Sequence, residues 1–226
     1  MTPTGIVIIF DLDDTLYDES NYVECSFRVV SCYLSNKYAL PEKTVFEDII
    51  QIFIKKGRRH IFETVLKKYN VYTMAEVKKC LSVYRRNIPN IKLYDEARGA
   101  LEMLSEYPKY IVSDGNKNVQ SIKAKALGIN KYFKKILLTH RYGIKHSKPS
   151  TYCFSIIKKM ERCNWNQMVY VADDPNKDFV NLNPLGIKTV RVLTGRFKDQ
   201  KANSGYDAIF CINNLSELLP VLGISK

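Results

Sequence analysis

An α/β fold, a doubly wound parallel sheet interrupted by an all-helical insert, is predicted for this 226-residue chain by three observations. An apolar run, Gly5-Ile6-Val7-Ile8-Ile9-Phe10, leads straight into the acidic stretch Asp11-Leu12-Asp13-Asp14-Thr15-Leu16-Tyr17. From Asn21 to Arg86 apolar residues recur three and four positions apart, with no strand pattern among them. From Leu93 onward short apolar runs alternate with helical periodicity, the mark of a parallel sheet covered by helices.

The first run is apolar throughout, as a strand buried on both faces requires. Its period of two places Asp11 and Asp13 on the same side of the emerging chain, so two carboxylates crowd one small volume. Either a cation sits between them or the pair belongs to an acidic turn that caps a helix. The insert reads as helices over 21–38, 43–55, 61–69 and 73–86, with a break at Lys56-Gly57-Arg58-Arg59-His60. Beyond it the expected order is helix 96–106, strand 110–112, helix 119–127 stopped by Gly128, strand 136–138, helix 151–162 and strand 168–172. A helix 179–185 ended by Gly186, strand 188–192, strand 208–211 and helix 215–222 complete it. The core is therefore assigned to 1–16 and 91–226, Rossmann-like in its alternation, and the helical insert to 17–90.

In open sheets of this kind, ligands bind beyond the carboxyl ends of the strands. The strand ends of this sequence carry chemistry: Asp11 and Asp13 after the first, Ser113-Asp114-Gly115 after the second, and Asp173-Asp174-Pro175-Asn176-Lys177-Asp178 after the fourth. Lys148-Pro149 stands in the loop before a core helix. Four independently placed loops with useful side chains are hard to ascribe to chance.

Composition narrows the function classes. A hydrophobic content of 46% suits a substantial core, and no apolar stretch approaches the roughly 18 residues of a bilayer span. No export signal is read at the N-terminus. The six cysteines show no Cys-x-x-Cys spacing, which argues for a reducing cytoplasm and against a zinc site. The formal charge of +12 invites a nucleic-acid reading, but the basic residues are scattered and suit steering of small anions better.

The motifs Asp11-Leu12-Asp13-Asp14-Thr15, Ser113-Asp114-Gly115, Lys148-Pro149 and Asp173-Asp174 with Asp178, in that order, resemble those of the haloacid dehalogenase-like hydrolase superfamily over essentially the whole chain. The insert resembles the helical cap of its subfamily I, and Gln120-Ser121-Ile122-Lys123 and Asp174-Pro175-Asn176-Lys177-Asp178-Phe179 resemble a phosphatase-like branch. The resemblance implies a phosphoric monoester hydrolase that uses Mg²⁺ and an aspartyl-phosphate intermediate on a small phosphorylated metabolite. Asp11 is the implied nucleophile and Asp13 the acid and base that protonates the leaving oxygen and later activates water. Ser113, with the backbone N–H groups of Asp114 and Gly115, is implied to bind the phosphoryl oxygens, and Lys148 to supply positive charge. Asp11, Asp173 and the backbone carbonyl of Asp13 are the implied metal ligands, with Asp174 and Asp178 as acidic support. Asp178 has two further readings, binding Lys148 or capping a helix.

An acid at position 13 separates this chain from the dehalogenases of the superfamily, whose leaving halide needs no proton. A sugar phosphomutase or phosphotransferase on the same motifs stays open as an alternative, as does a phospho-ligand-binding module without turnover. Gly57, Arg58 and Arg59 are candidate specificity residues, because glycine admits close approach and arginine favours anions. A plain helix-helix turn is the competing account. The substrate and the oligomeric state are not legible in the sequence.

Overall fold

The computed structural model describes residues 5–224. The described residues divide into two compact units, one of those up to Glu19 together with those from Ile91 onward, the other Ser20–Asn90.

The first unit is built on six parallel strands: β1 (Val7–Phe10), β2 (Lys109–Ser113), β3 (Lys135–Leu138), β4 (Met168–Ala172), β5 (Lys188–Val192) and β6 (Phe210–Ile212), in the order β3-β2-β1-β4-β5-β6. Alternation along the central strands sends Val7, Ile9, Tyr110, Val112, Met168 and Tyr170 into one core with Phe154, Ile157 and Phe179. Ile8, Phe10, Ile111, Val169 and Val171, also buried, occupy the alternate positions, as the period of two demands. Phe10 meets Phe133 edge-on at 6.0 Å. The sheet reverses its winding at β1, so the crevice expected to hold a ligand lies where β2, β1 and β4 end.

The other unit contains α1 (Glu19–Tyr38) from Ser20 onward, α2 (Glu42–Lys56), α3 (Ile61–Lys68) and α4 (Met74–Arg86). Its aromatic centre is Phe27, with ring centroids of Phe53, Phe62 and Tyr84 at 5.5, 6.3 and 5.4 Å. Val45, Ile49, Val65, Leu66 and Cys80 are buried with it. Thr73 caps α4 by accepting the Glu76 N–H at 3.0 Å, satisfying one of the donors that a helix start leaves unpaired.

In the first unit, α5 (Asp95–Met103), α6 (Lys117–Ala126), α7 (Tyr152–Glu161) and α8 (Leu218–Leu222) connect or flank the strands. Two expectations require correction. The helix expected at 179–185 is absent; a series of turns ends in a single 3₁₀ turn at Asn183–Leu185. Pro184 lacks the N–H that a continuing α-helix would use, and the residue before a proline is driven away from helical geometry. The last strand lies at Phe210–Ile212, not 208–211, and forms the sheet's edge beside β5. Among the described residues no helix is long and apolar enough to cross a membrane.

Candidate active site

The chain leaves β1 still hydrogen-bonded to β4, since the Asp11 N–H donates to the Val171 carbonyl at 2.9 Å. Asp11 and Asp173 are therefore brought together by the sheet register, each being the first residue past one of two adjacent strands. One oxygen from each of Asp11, Asp173 and Asp178 lies within 4.8 Å of the others, and all three residues are buried. The Asp11 Oδ1 atom has no hydrogen-bond partner although it is buried. Such a set of hard oxygen donors suits a small divalent cation.

Lys148 enters this cluster from the loop before α7. Its Nζ lies 3.0 Å from Asp11 Oδ2 and 2.7 Å from Asp178 Oδ1, and it donates to the Tyr170 hydroxyl at 3.0 Å. Tyr170 in turn donates to Asp178 at 3.1 Å, while the other Asp178 oxygen accepts the Asp174 N–H. Burial pushes the Asp11 carboxyl up to about 7, Lys148 working against the rise and Asp178 with it. Asp173 is held well above the usual carboxylate range by burial, then by the charges of Asp11 and Asp178. Burial disfavours the Lys148 ammonium, yet Asp11 and Asp178 outweigh it and keep the group charged.

Asp13 does not share this cluster. Past the end of β1 its carboxylate is taken up by a second group of residues: Tyr17 donates to Oδ1 at 2.6 Å, Lys123 to Oδ1 at 2.7 Å and Gln120 to Oδ2 at 2.8 Å. Burial raises its pKa, but the Lys123 charge and the three donors prevail and hold it below the ordinary value. Ser113, the last residue of β2, accepts a 2.7 Å bond from the same Gln120 amide nitrogen, which leaves its own O–H to donate elsewhere. The crowding expected between Asp11 and Asp13 is thus largely replaced by crowding of Asp11 with Asp173 and Asp178.

Asp114 turns its carboxylate to Thr139 at 2.7 Å and to the Lys148 N–H at 3.1 Å, so it ties the Ser113 turn to the Lys148 loop. Asp174 shapes its own loop by accepting from the Asn176 backbone and side chain at 3.0 and 2.7 Å, with Lys177 at 3.3 Å. Asp14 adopts φ 55° and accepts the Glu19 N–H at 2.9 Å, starting α1; Gly195 packs so closely that a Cβ there would stand 2.3 Å from that of Asp14. Tyr17 is fully buried. In the helical unit Gly57 ends α2 with φ 66°. Arg58 lines a cavity of about 290 Å³ with Phe27, Phe53, His60, Tyr84 and Arg85, and Arg59 is absent from its lining.

Gln120 and Lys123 are the residues whose placement at the site the sequence did not make evident. They lie three apart on the buried stripe Val119, Gln120, Lys123, Ala124 of α6. A polar amide and an ammonium inside an otherwise apolar stripe were the available signal.

A sequence model described as haloacid dehalogenase-like hydrolase matches residues 8–192. The chain belongs to this family. Among curated relatives, a glyceraldehyde 3-phosphate phosphatase of Methanocaldococcus jannaschii is 28% identical, with 95% of this chain and 96% of that protein covered. One of Pyrococcus furiosus is 24% identical, with 96% and 92% covered. Among solved structures, a HAD phosphatase from Thermococcus onnurineus aligns with a TM-score of 0.64 at 23% identity, covering 96% of this chain and 98% of that one. The magnesium-bound structure of YfnB from Bacillus subtilis aligns at 0.67 and 20%, covering 97% and 99%. These likenesses identify the HAD fold.

Proposed function

We propose that this HAD-family protein is a Mg²⁺-dependent phosphatase of a small phosphorylated sugar of the triose phosphate class, working through an aspartyl-phosphate on Asp11. The observation that carries the reading is the pairing of a buried carboxylate, Asp11, with the buried ammonium of Lys148 at 3.0 Å, beside a second acid whose oxygens are held apart from it. The names of the curated relatives, glyceraldehyde 3-phosphate phosphatase, favour hydrolysis over the mutase alternative and suggest the substrate class.

The unpartnered Asp11 Oδ1 and the oxygens of Asp173 and Asp178 fit a hard cation, with the Asp13 carbonyl as a further ligand by family likeness. Mg²⁺ bound there would mask phosphoryl charge so that an anionic carboxylate can approach phosphorus. Lys148 adds positive charge on the same side, and Asp178 with Tyr170 fixes its position. Ser113 donates to a phosphoryl oxygen, oriented by Gln120.

Asp11 forms the bond to phosphorus as the bond to the leaving oxygen breaks. Asp13 is ionised at rest, so its proton arrives with the substrate; a phosphomonoester loses its second proton near pKa ~6 and is partly monoanionic at neutral pH. Asp13 passes that proton to the leaving alcohol and then takes one from the water that hydrolyses the aspartyl-phosphate. Substrate and product are small and charged, and the reading includes a soluble, cytoplasmic setting. The test is a panel of phosphorylated sugars, nucleotides and small acids assayed with and without Mg²⁺. Release of phosphate from glyceraldehyde 3-phosphate that stops on chelation supports the reading; no turnover of any panel member under either condition refutes it.

A further inference from the structure

A lysine buried on the face of a helix is costly unless its charge is matched. Lys123 is 2% exposed, on α6, and is matched twice: its Nζ lies 2.7 Å from Asp13 Oδ1 and 3.0 Å from Glu19 Oε1. Gln120, one turn earlier on the same stripe, spreads its Nε2 donor between Asp13 Oδ2 and Ser113 Oγ, at 2.8 and 2.7 Å. Only the amide nitrogen can face these atoms, since the carbonyl oxygen would be set against a carboxylate. Each oxygen of Asp13 is therefore gripped by a different residue of α6, with Tyr17 as a further donor to Oδ1. A carboxylate held by one oxygen turns about its Cβ–Cγ bond; one held by both does not. Lys123 is itself held in register by Glu19, the first residue of α1.

We propose that Lys123, acting with Gln120, is the positioning residue that fixes the plane of the Asp13 carboxyl for proton transfer to the leaving oxygen. The proposal rests on the reading of Asp13 as the acid and base. Proton transfer requires the acid oxygen within hydrogen-bond reach of the leaving oxygen, and a small rotation of the carboxyl removes it from that reach. Lys123 touches neither substrate nor metal in this scheme. Its loss should therefore resemble a weakened form of the loss of Asp13, in kind as well as in size.

The experiment compares an alkyl ester, glyceraldehyde 3-phosphate, with 4-nitrophenyl phosphate, whose leaving phenolate needs little protonation, under Mg²⁺ saturation. Asp13→Asn, measured alongside, should lose about 10²–10⁴-fold in kcat/KM, which reports the transfer to Asp11 and not the later hydrolysis shared by both esters, on the alkyl ester and far less on the aryl ester. Lys123→Met should lose roughly 10- to 100-fold in kcat/KM on the alkyl ester and stay within about threefold in kcat/KM on the aryl ester. A residue with only a structural role would depress both substrates alike. Equal losses of kcat/KM on the two esters, or wild-type alkyl kcat/KM in Lys123→Met while Asp13→Asn shows its selective loss, would overturn the proposal and leave the reading of Asp13 standing. If Asp13→Asn itself shows no selectivity, the acid assignment fails and the proposal with it. Should Lys123→Met not fold, Glu19→Gln supplies the readout: it keeps shape but loosens Lys123, and an alkyl-selective loss of about three- to tenfold is expected. A loss equal on both esters, or none, overturns the proposal in that variant too.

Discussion

The two sides of β1 present the same residue type in opposite electrostatic conditions. On the β4 side, Asp11 shares a buried volume with Asp173, Asp178 and the ammonium of Lys148, and its carboxyl rises to about 7. On the β2 side, only two residues further along the chain, Asp13 is met by Lys123, Gln120 and Tyr17 and falls below its ordinary value. Carboxylates outnumber cations on the first side, whereas donors crowd the carboxylate on the second. One side is thus short of positive charge in a way that a divalent cation and a phosphoryl group's partners would relieve, and the other is complete without a ligand. The difference separates a group that must be approached from one that must be aimed.

The largest effect should come from the β4 side. Asp11→Asn keeps the shape of the side chain but removes the attacking oxygen's charge, and turnover of alkyl and aryl phosphates alike should fall on the order of 10⁴-fold or more. The substitution also relieves crowding in the cluster, so the variant should fold and melt no lower than wild type. Equal hydrolysis of 4-nitrophenyl phosphate by variant and wild type, followed by phosphate release, would remove Asp11 from the role of nucleophile and erase the distinction between the two sides.

The distinction also governs pH. Asp11 releases its proton at about 7 in the folded chain but near the ordinary 3.8 when unfolded. Below about pH 4 both states hold the proton and its contribution to stability is fully present. As pH rises from about 4 to 7 the unfolded state alone has lost the proton, so stability falls across that window. Asp173 acts in the same direction. Asp13, lowered instead, contributes stability that is lost only as pH drops below its ordinary value, so it leaves this window untouched. Metal-free protein should therefore melt lower at pH 8 than at pH 5, and Mg²⁺ should raise the melting temperature more at pH 8, where the ligands are ionised. The drop between the two pH values should shrink in Asp11→Asn. Thermal melts at pH 5 and pH 8, with and without metal, on wild type and this variant, measure these differences. A pH drop of the same size in both proteins would show that the β4 side is not the source.

Much of this arrangement was legible in the sequence, and the reasons are local. The runs ending at Phe10 and Ala172 are apolar on both faces, so their strand character followed from pattern, whereas the grouping of Asp11 with Asp173 came only as what the family resemblance implies. The Asp178 to Lys148 pair was one of the readings left open, and the 2.7 Å contact selects it. What was not legible depends on long-range packing. Strand periodicity placed Asp13 beside Asp11, but the strand ends at Phe10, and the side chain is redirected by residues 107 and 110 positions away. Lys123 is one of 35 basic residues, and nothing short of the helix's buried face distinguishes it from a solvated one. The apolar spacing over 179–185 imitates a helix, although Pro184 argues against one.

The smallest effect concerns the helical unit, where Arg58 and Arg59 adjoin in sequence but part company in space. Both are exposed in the turn after α2, but Arg58 lines the 290 Å³ cavity among aromatic side chains and Arg59 does not. If the insert reads the part of the substrate that does not react, its contribution is binding shared by ground and transition state, which lowers KM without raising kcat. Arg59, outside that lining, contributes little, because solvent screens its charge. Arg58→Ala should then raise KM for the preferred sugar phosphate about three- to tenfold with kcat nearly constant, and leave 4-nitrophenyl phosphate within about twofold. Arg59→Ala should leave both substrates unchanged. The comparison is internal: the two variants remove the same charge from adjacent positions, so a general effect of net charge on attraction of anions would appear equally in both. Equal rises in KM would assign the effect to steering by the basic chain as a whole, and an unmoved Arg58→Ala would return that residue to the packing of its own helical unit.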